Sequence, residues 1–435
     1  MKQKLKLKIL HSRGLVEPGA IKYLGPDWKL ALIYLFFFTT TSGLLRKLEL
    51  AGDSQNYLPP APIFSSQTPG VTTNLFFAIF GATQFLIVAQ SLVSALSWLI
   101  LAFSIRKLFP KIKGKIFTIL ILLYSLSGPI LSWNSWALTE SLTLSVFVMW
   151  IGVTLLVMSA PNANRGAQIV ALSLACSFLV ILTRPLLFIV IIPVQIYVII
   201  SCQAFIKRKF LALFAIPLLI LSVSWGTMRL TNLSNSENLR LWYAQNNLVA
   251  KPRYADFLLD KGISCPPLID AFKKGVNFDE IRGELAELCQ ADVELLSQKE
   301  NSWIFWVVER PGNALEEFFG YLKHAKLVNY SSQQNPLPSV WNELLTPTSS
   351  SALSVTLFFV AGSSCFVNLK RRLRKQKIGM LLVVAGFSLL YLFVSWAGDG
   401  MEMDRHLMPI LSLFPLFGIL MPHLLFVSRS DVVDK

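Results

Sequence analysis

Apolar runs long enough to cross the roughly 30 Å hydrocarbon layer of a bilayer recur along this chain, and they constrain its fold more than any other feature. They lie at 30–45, 84–103, 116–131, 142–158, 167–182, 185–200, 210–228, 353–369, 378–396 and 407–427. Backbone groups in hydrocarbon must bond within their own segment, so each run is expected to be a helix. The prediction is an all-α integral membrane protein with about ten transmembrane helices. Composition agrees, since 54% of the 435 residues are hydrophobic, more than a soluble enzyme of this length would show.

The net charge of +15 is unevenly distributed. Lys2, Lys4, Lys6, Lys8, Arg13, Lys22 and Lys29 precede the first run. Further clusters fall in alternate loops, at Arg106 to Lys115, Lys207 to Lys209 and Lys370 to Lys377. By the positive-inside tendency those segments and both termini are cytoplasmic. The charge is then a topology signal with some attraction to anionic inner-leaflet lipid, and nucleic acid is not an expected partner. The first run follows a stretch too long for a signal peptide and has no Ala-x-Ala site before Arg46, so it is expected to stay as an anchor. The expected location is a bacterial inner membrane, crossed many times.

Four regions follow: a basic N-terminus (1–29), a bundle of about seven helices (30–228) with an external loop at 46–83, an external subdomain (229–352) and about three C-terminal helices (353–435). Within the first loop, 72–80 is too apolar for water and is expected to be a helix in the membrane interface. In the subdomain, 278–300 reads as one amphipathic helix, with Ile281, Leu285, Leu288, Val293 and Leu296 at near-helical spacing. A later helix carries Leu315, Phe318, Phe319 and Leu322, with Lys323 and Lys326 beside it. Apolar anchors next to lysines suit a headgroup or lipid phosphate, and packing on the bundle with solvated lysines explains them equally well.

Cys176, Cys202 and Cys365 lie in or beside apolar helices, as small core residues do. Cys265 and Cys289 both fall in the large external loop. A disulfide between them would close a loop of about 23 residues, worth on the order of 3 kcal/mol, and two unpaired thiols are the alternative.

Ionisable groups are scarce inside the runs and collect at their external ends: Asp53, Glu140, Arg184, and a group of Asp399, Glu402, Asp404, Arg405 and His406. An acidic residue beside the bilayer is a functional candidate. Glu140 follows Thr139 at a helix start, where dipole complementarity alone also explains it. Arg184 and Arg405 stand at helix junctions, where a guanidinium fork fits phosphate oxygens; snorkelling or pairing with a carboxylate is the competing account, notably for Arg405 beside Asp404. His11, His324, His406 and His423 have no metal-ligand spacing.

These pieces together resemble the polytopic glycosyltransferases of the C-type fold, including the mannosyltransferase-like and aminoarabinose-transferase-like branches. Gly52-Asp53-Ser54 with Tyr57 is similar to that family's acidic first external loop. Thr68-Pro69-Gly70 followed by Leu75 to Gly81 is similar to its Pro-Gly stretch, and Gln90 to a glutamine in the next helix. Leu138-Thr139-Glu140-Ser141, Arg184-Pro185 and Arg405 to Pro409 resemble its later pieces. Val71-Thr72 and His406 depart from the pattern, where Tyr-Pro and an aromatic residue are usual.

The resemblance implies transfer of a sugar from a polyprenyl-phosphate carrier to a lipid, glycan or protein acceptor on the extracytoplasmic face. Asp53 would take the proton of the acceptor hydroxyl and Glu140 would orient sugar or acceptor. Tyr57, Arg184, Lys323, Lys326, Arg405 and His406 would line the substrates, the cations stabilising the leaving lipid phosphate. No metal cluster is legible, while the resemblance admits a divalent ion bridging Asp53 and a second carboxylate. Two other classes compete. A polysaccharide polymerase or ligase would rely on external arginines, and a flippase or transporter would carry ionisable or helix-breaking residues near mid-bilayer.

Overall fold

The computed structural model describes residues 28–50, 71–108, 112–159, 163–201, 218–225, 251–268, 270, 288–324, 372–398, 407 and 409–413. Among the described residues all regular structure is helical, and the one extended pairing is an isolated parallel bridge between Glu49 and Trp136. Two helices among the described residues are long and apolar enough to cross a membrane, at Gln84–Lys107 and Thr139–Val157.

The first described helix is α1 (Trp28–Thr39), extended by a π-helical turn, Thr40–Leu44, that closes with Leu45 N–H on Thr40 O at 2.9 Å. After α2 (Val71–Phe80) comes α3 (Gln84–Leu108), which has no Gly or Pro along its length. The expected single crossing at 116–131 is instead two helices, α4 (Ile112–Ser125) and α5 (Gly128–Trp133). The break has a local cause. Ser127 is extended and Pro129 lacks the N–H an uninterrupted helix would use, so the helix restarts with Pro129 in its first turn.

Next come α6 (Thr139–Ser159) and α7 (Ala163–Thr183). The following Arg184-Pro185 stops α7, because the residue before a proline is driven out of the helical region; Arg184 sits at φ −141°, ψ 99°. A 3₁₀ turn (Pro185–Leu187) then leads into α8 (Phe188–Ser201). Of the expected crossing at 210–228, residues 218–225 are described and helical, and 353–369 lies outside the described residues.

In the polar region, α9 (Pro252–Asp260) precedes α10 (Gln290–Ser297), α11 (Trp303–Glu309) and α12 (Pro311–His324). The expected single helix over 278–300 is corrected here. Cys289 is a turn residue at φ −125°, ψ 34°, so α10 starts after it and ends before a separate 3₁₀ turn, Lys299–Asn301. Cys289 is bonded to Cys265 with Cα atoms 5.8 Å apart, which ties the start of α10 to the chain that follows α9. Asp292 reinforces that junction by accepting from the Ser264 and Cys265 N–H groups at 2.8 and 2.5 Å. The last long helix among the described residues is α13 (Arg372–Gly398).

Helices α3, α6 and α7 pack in sequence, α4 lies on α3, and α8 packs against α13. Their contacts use small and hydroxyl residues. A Cβ at Gly152 of α6 would come within 2.9 Å of Leu101 N and Ile100 Cγ2 of α3. Thr154, Ser173 and Gln195 join α6, α7 and α8 through bonds of 2.9 Å each, and Tyr34 meets Ser125 at 2.6 Å between α1 and α4. Outside, large apolar side chains face away from the protein, with Phe36 74% and Phe85 75% exposed.

The polar region docks on the end of α13 through aromatic contacts. Trp306 of α11 and Phe318 of α12 lie 6.1 and 5.5 Å from Trp396, and Phe318 meets Phe393 edge-on at 5.2 Å. The helix expected around Leu315 to Leu322 is therefore split between two environments: Phe318 and Leu322 are buried, while Leu315 and Phe319 are exposed.

Candidate functional site

One end of the bundle gathers the polar chemistry. It is built from the loop after α5, the Arg184 junction, the segment after α1, and the last turns of α13.

At the loop, α5 ends on Asn134, whose Oδ1 accepts from Ser141 Oγ at 2.8 Å and so ties it to the first turn of α6. Gln90 of α3, with its amide oriented to satisfy its neighbours, donates to the Asn134 and Trp136 carbonyls at 3.0 and 3.3 Å. Glu49 pairs with the same loop: its N–H donates to Ser135 O at 2.8 Å and its carbonyl accepts from Ala137 N–H at 3.1 Å. The segment that follows α1 is thereby held beside the start of α6.

Glu140 occupies the first turn of α6, where the helix dipole favours a carboxylate, and it is only 1% exposed. Its Oε2 accepts from Thr139 Oγ1 at 3.2 Å and its Oε1 faces Arg184 Nη1 at 3.4 Å. The extended backbone at Arg184 brings together two residues 44 apart in sequence. Arg184 is 15% exposed and so reaches the surface. It also donates to the Tyr391 hydroxyl, which is hydrogen-bonded in turn to Ser395 on α13. Three elements, α6, the junction after α7 and α13, thus meet at one ion pair.

Lys251, which precedes α9, is fully buried against the end of α13, donating to Ala397 O at 3.1 Å with its ammonium 4.9 Å from the Trp396 ring centre. Nearby Glu317 accepts from Arg253 N–H at 2.6 Å. Burial raises the Glu317 carboxyl above the usual range and Asp256 adds to this; the Arg253 N–H bond, Lys251 and Arg253 pull the other way without reversing it. Beyond the π-helical turn, Arg46 is 2% exposed. Burial lowers its basicity, and the charge of Glu49 opposes that.

Of the residues expected at the site from sequence, the structure joins Glu140 to Arg184. Asp53, Tyr57, Lys326, Arg405 and His406 lie outside the described residues, and of Lys323 only the helical backbone is described. Arg46, Lys251 and Tyr391 were not anticipated. Lys251 and Tyr391 carry no local pattern that marks them, whereas Arg46 had a legible signal: a cation abutting an apolar run on the side where few are expected. No group of three His, Cys, Asp or Glu suited to a metal ion occurs among the described residues. Compared with known proteins, the chain matches no family model and no curated protein.

The arrangement can hold a polar, anionic substrate at a helix-bundle end. Glu140, fixed by two donors, can accept from hydroxyls. Arg184 offers a guanidinium at the surface whose orientation is set by Glu140 and Tyr391.

Proposed function

We propose that this chain is a membrane glycosyltransferase that moves a sugar from a polyprenyl-phosphate carrier to a lipid, glycan or protein acceptor on the extracytoplasmic face. In this reading it has about ten spans, with the Glu140 end outside and the basic loops inside. The exposed apolar side chains and the buried Ser and Thr contacts support a membrane setting, and Arg106 and Lys107 in the last turn of α3 support that orientation.

The observation that carries the proposal is the meeting of Glu140 with Arg184 beside the Glu49 pairing. Two pieces of the sequence resemblance, distant along the chain, converge there, and Asp53 follows Glu49 by only four residues of sequence. The acceptor oxygen attacks the anomeric carbon and its proton passes to Asp53, while the bond from that carbon to the phosphate oxygen breaks. Polyprenyl phosphate leaves with its added charge stabilised by Arg184 and Arg405, and a single displacement inverts the anomeric centre. Glu140 orients the sugar or acceptor hydroxyls.

The test supplies membranes bearing the protein with a panel of short-chain polyprenyl-phosphate hexoses and pentoses and measures release of polyprenyl phosphate. Release from one donor by the wild type, lost in Asp53→Asn, is the expected result. Equal release by both proteins contradicts the assignment of Asp53.

A further inference from the structure

Arg46 is unlike the other buried cations. The Arg184 and Lys251 side chains have partners, but Nε, Nη1 and Nη2 of Arg46 are all buried with no hydrogen-bond partner among the described residues. A buried charge left unsatisfied is among the costliest features a fold can hold. The charge of Glu49 acts on it through the field, while Glu49 Oε1 accepts from Ser135 Oγ at 3.4 Å.

The surroundings hold Arg46 in place. Gln84 Nε2 donates to both Gly43 O and Arg46 O, at 2.7 and 2.6 Å, and Ser42 bonds Ser91 at 2.7 Å. Gly43 sits so close to α3 that an added Cβ would lie 3.2 Å from Val88 Cα. The preceding turn is π-helical, a local irregularity that recurs at functional sites. Trp136 Nε1, on the segment bridged to Glu49, is also buried without a hydrogen-bond partner among the described residues.

We infer that Arg46 is the anchoring ligand of an oxyanion site, and that the oxyanion is a phosphate group presented at the end of the apolar α1. A rigid guanidinium with its whole donor fork unused fits several oxygens of one tetrahedral anion. The site uses a different guanidinium from the Glu140–Arg184 pair and does not depend on sugar transfer being the activity. The phosphate could belong to a carrier lipid, a bilayer phospholipid or free phosphate.

The experiment uses the full-length protein in dodecyl maltoside, which carries no phosphate, in phosphate-free buffer after lipid removal. Binding of decyl phosphate, inorganic phosphate and, in mixed micelles, phosphatidylglycerol is followed by thermal shift and titration for the wild type, Arg46→Lys and Arg46→Met. The expected result is saturable binding of at least one probe, weakened about tenfold or more in Arg46→Met and partly retained in Arg46→Lys. Preference for decyl phosphate assigns a single-chain lipid phosphate, preference for phosphatidylglycerol a bilayer headgroup, and equal response to inorganic phosphate a free anion. Without any probe, Arg46→Met should melt higher than the wild type, because it removes an unpaired buried charge. The proposal is overturned if no probe binds the wild type, if binding is unchanged in Arg46→Met, or if that variant melts lower in the absence of anion, as a purely structural arginine would require.

Discussion

At the residue scale, the Glu140–Arg184 pair is a coupled unit whose strength is set by burial on one side and partial exposure on the other. Removing the carboxylate leaves Arg184 with Tyr391 as a remaining partner. Glu140→Gln should therefore cost about 1–3 kcal/mol rather than the larger penalty of a wholly orphaned charge. In a double-mutant cycle with Arg184→Gln, melting of the purified protein should show less than additive losses; strict additivity would mean the two groups do not interact. Glu317 gives a prediction with a definite sign. Its folded carboxyl titrates above the ordinary value of 4.5, so the folded protein binds that proton more tightly than the unfolded chain. Its stabilising contribution is complete below pH 4.5 and disappears as pH rises through the elevated folded value. Glu317→Gln keeps an acceptor for the Arg253 N–H and should flatten the fall in melting temperature just above that pH. An unchanged pH profile would show that Glu317 titrates normally.

At the scale of elements, the α3–α6 contact depends on the space left by Gly152. Placing a methyl there forces it against α3 backbone at 2.9–3.0 Å, and Gly152→Ala should destabilise by about 1–3 kcal/mol despite its better helix propensity. Gly320 in α12 has nothing within 4 Å of an added Cβ, so Gly320→Ala should be neutral or stabilising by up to about 1 kcal/mol. Comparing the two melting temperatures tests whether close packing, not propensity, governs this bundle. The Cys265–Cys289 bridge belongs to the same scale. With a sequence separation of 24 residues, Cys265→Ser should cost about 2–4 kcal/mol and expose the segment between α9 and α10 to limited proteolysis, with the α3–α6–α7 core protected.

Apolar length made α3, α6, α7 and α13 legible in the sequence, since hydrocarbon-length runs leave little choice but a helix. Three features were not legible in this way. The split at Gly128-Pro129 and the turn at Cys289 depend on single residues that interrupt an otherwise continuous periodicity. The exposure of Leu315 and Phe319 beside buried Phe318 depends on which face meets α13, and spacing alone cannot specify that. Glu140 and Arg184 could each be picked out as a charge at a helix end, whereas their pairing arose from the backbone turn that Pro185 imposes. Arg46 and Lys251 became visible as buried only once the surrounding helices were in place.

At the scale of the whole molecule, the account joins an apolar-faced bundle, one polar end and a disulfide-tied subdomain seated on α13. The direct test of its central claim is surface-glycan and glycolipid analysis of a strain lacking this protein, complemented with the wild type or with Asp53→Asn at matched membrane abundance. The substitution removes the proposed base and little volume. The account predicts that the wild type restores a missing sugar and Asp53→Asn does not, with the identity of that sugar revealing the donor. Equal restoration by both would contradict it and favour an arginine-centred polymerase or a lipid flippase at the same membrane end.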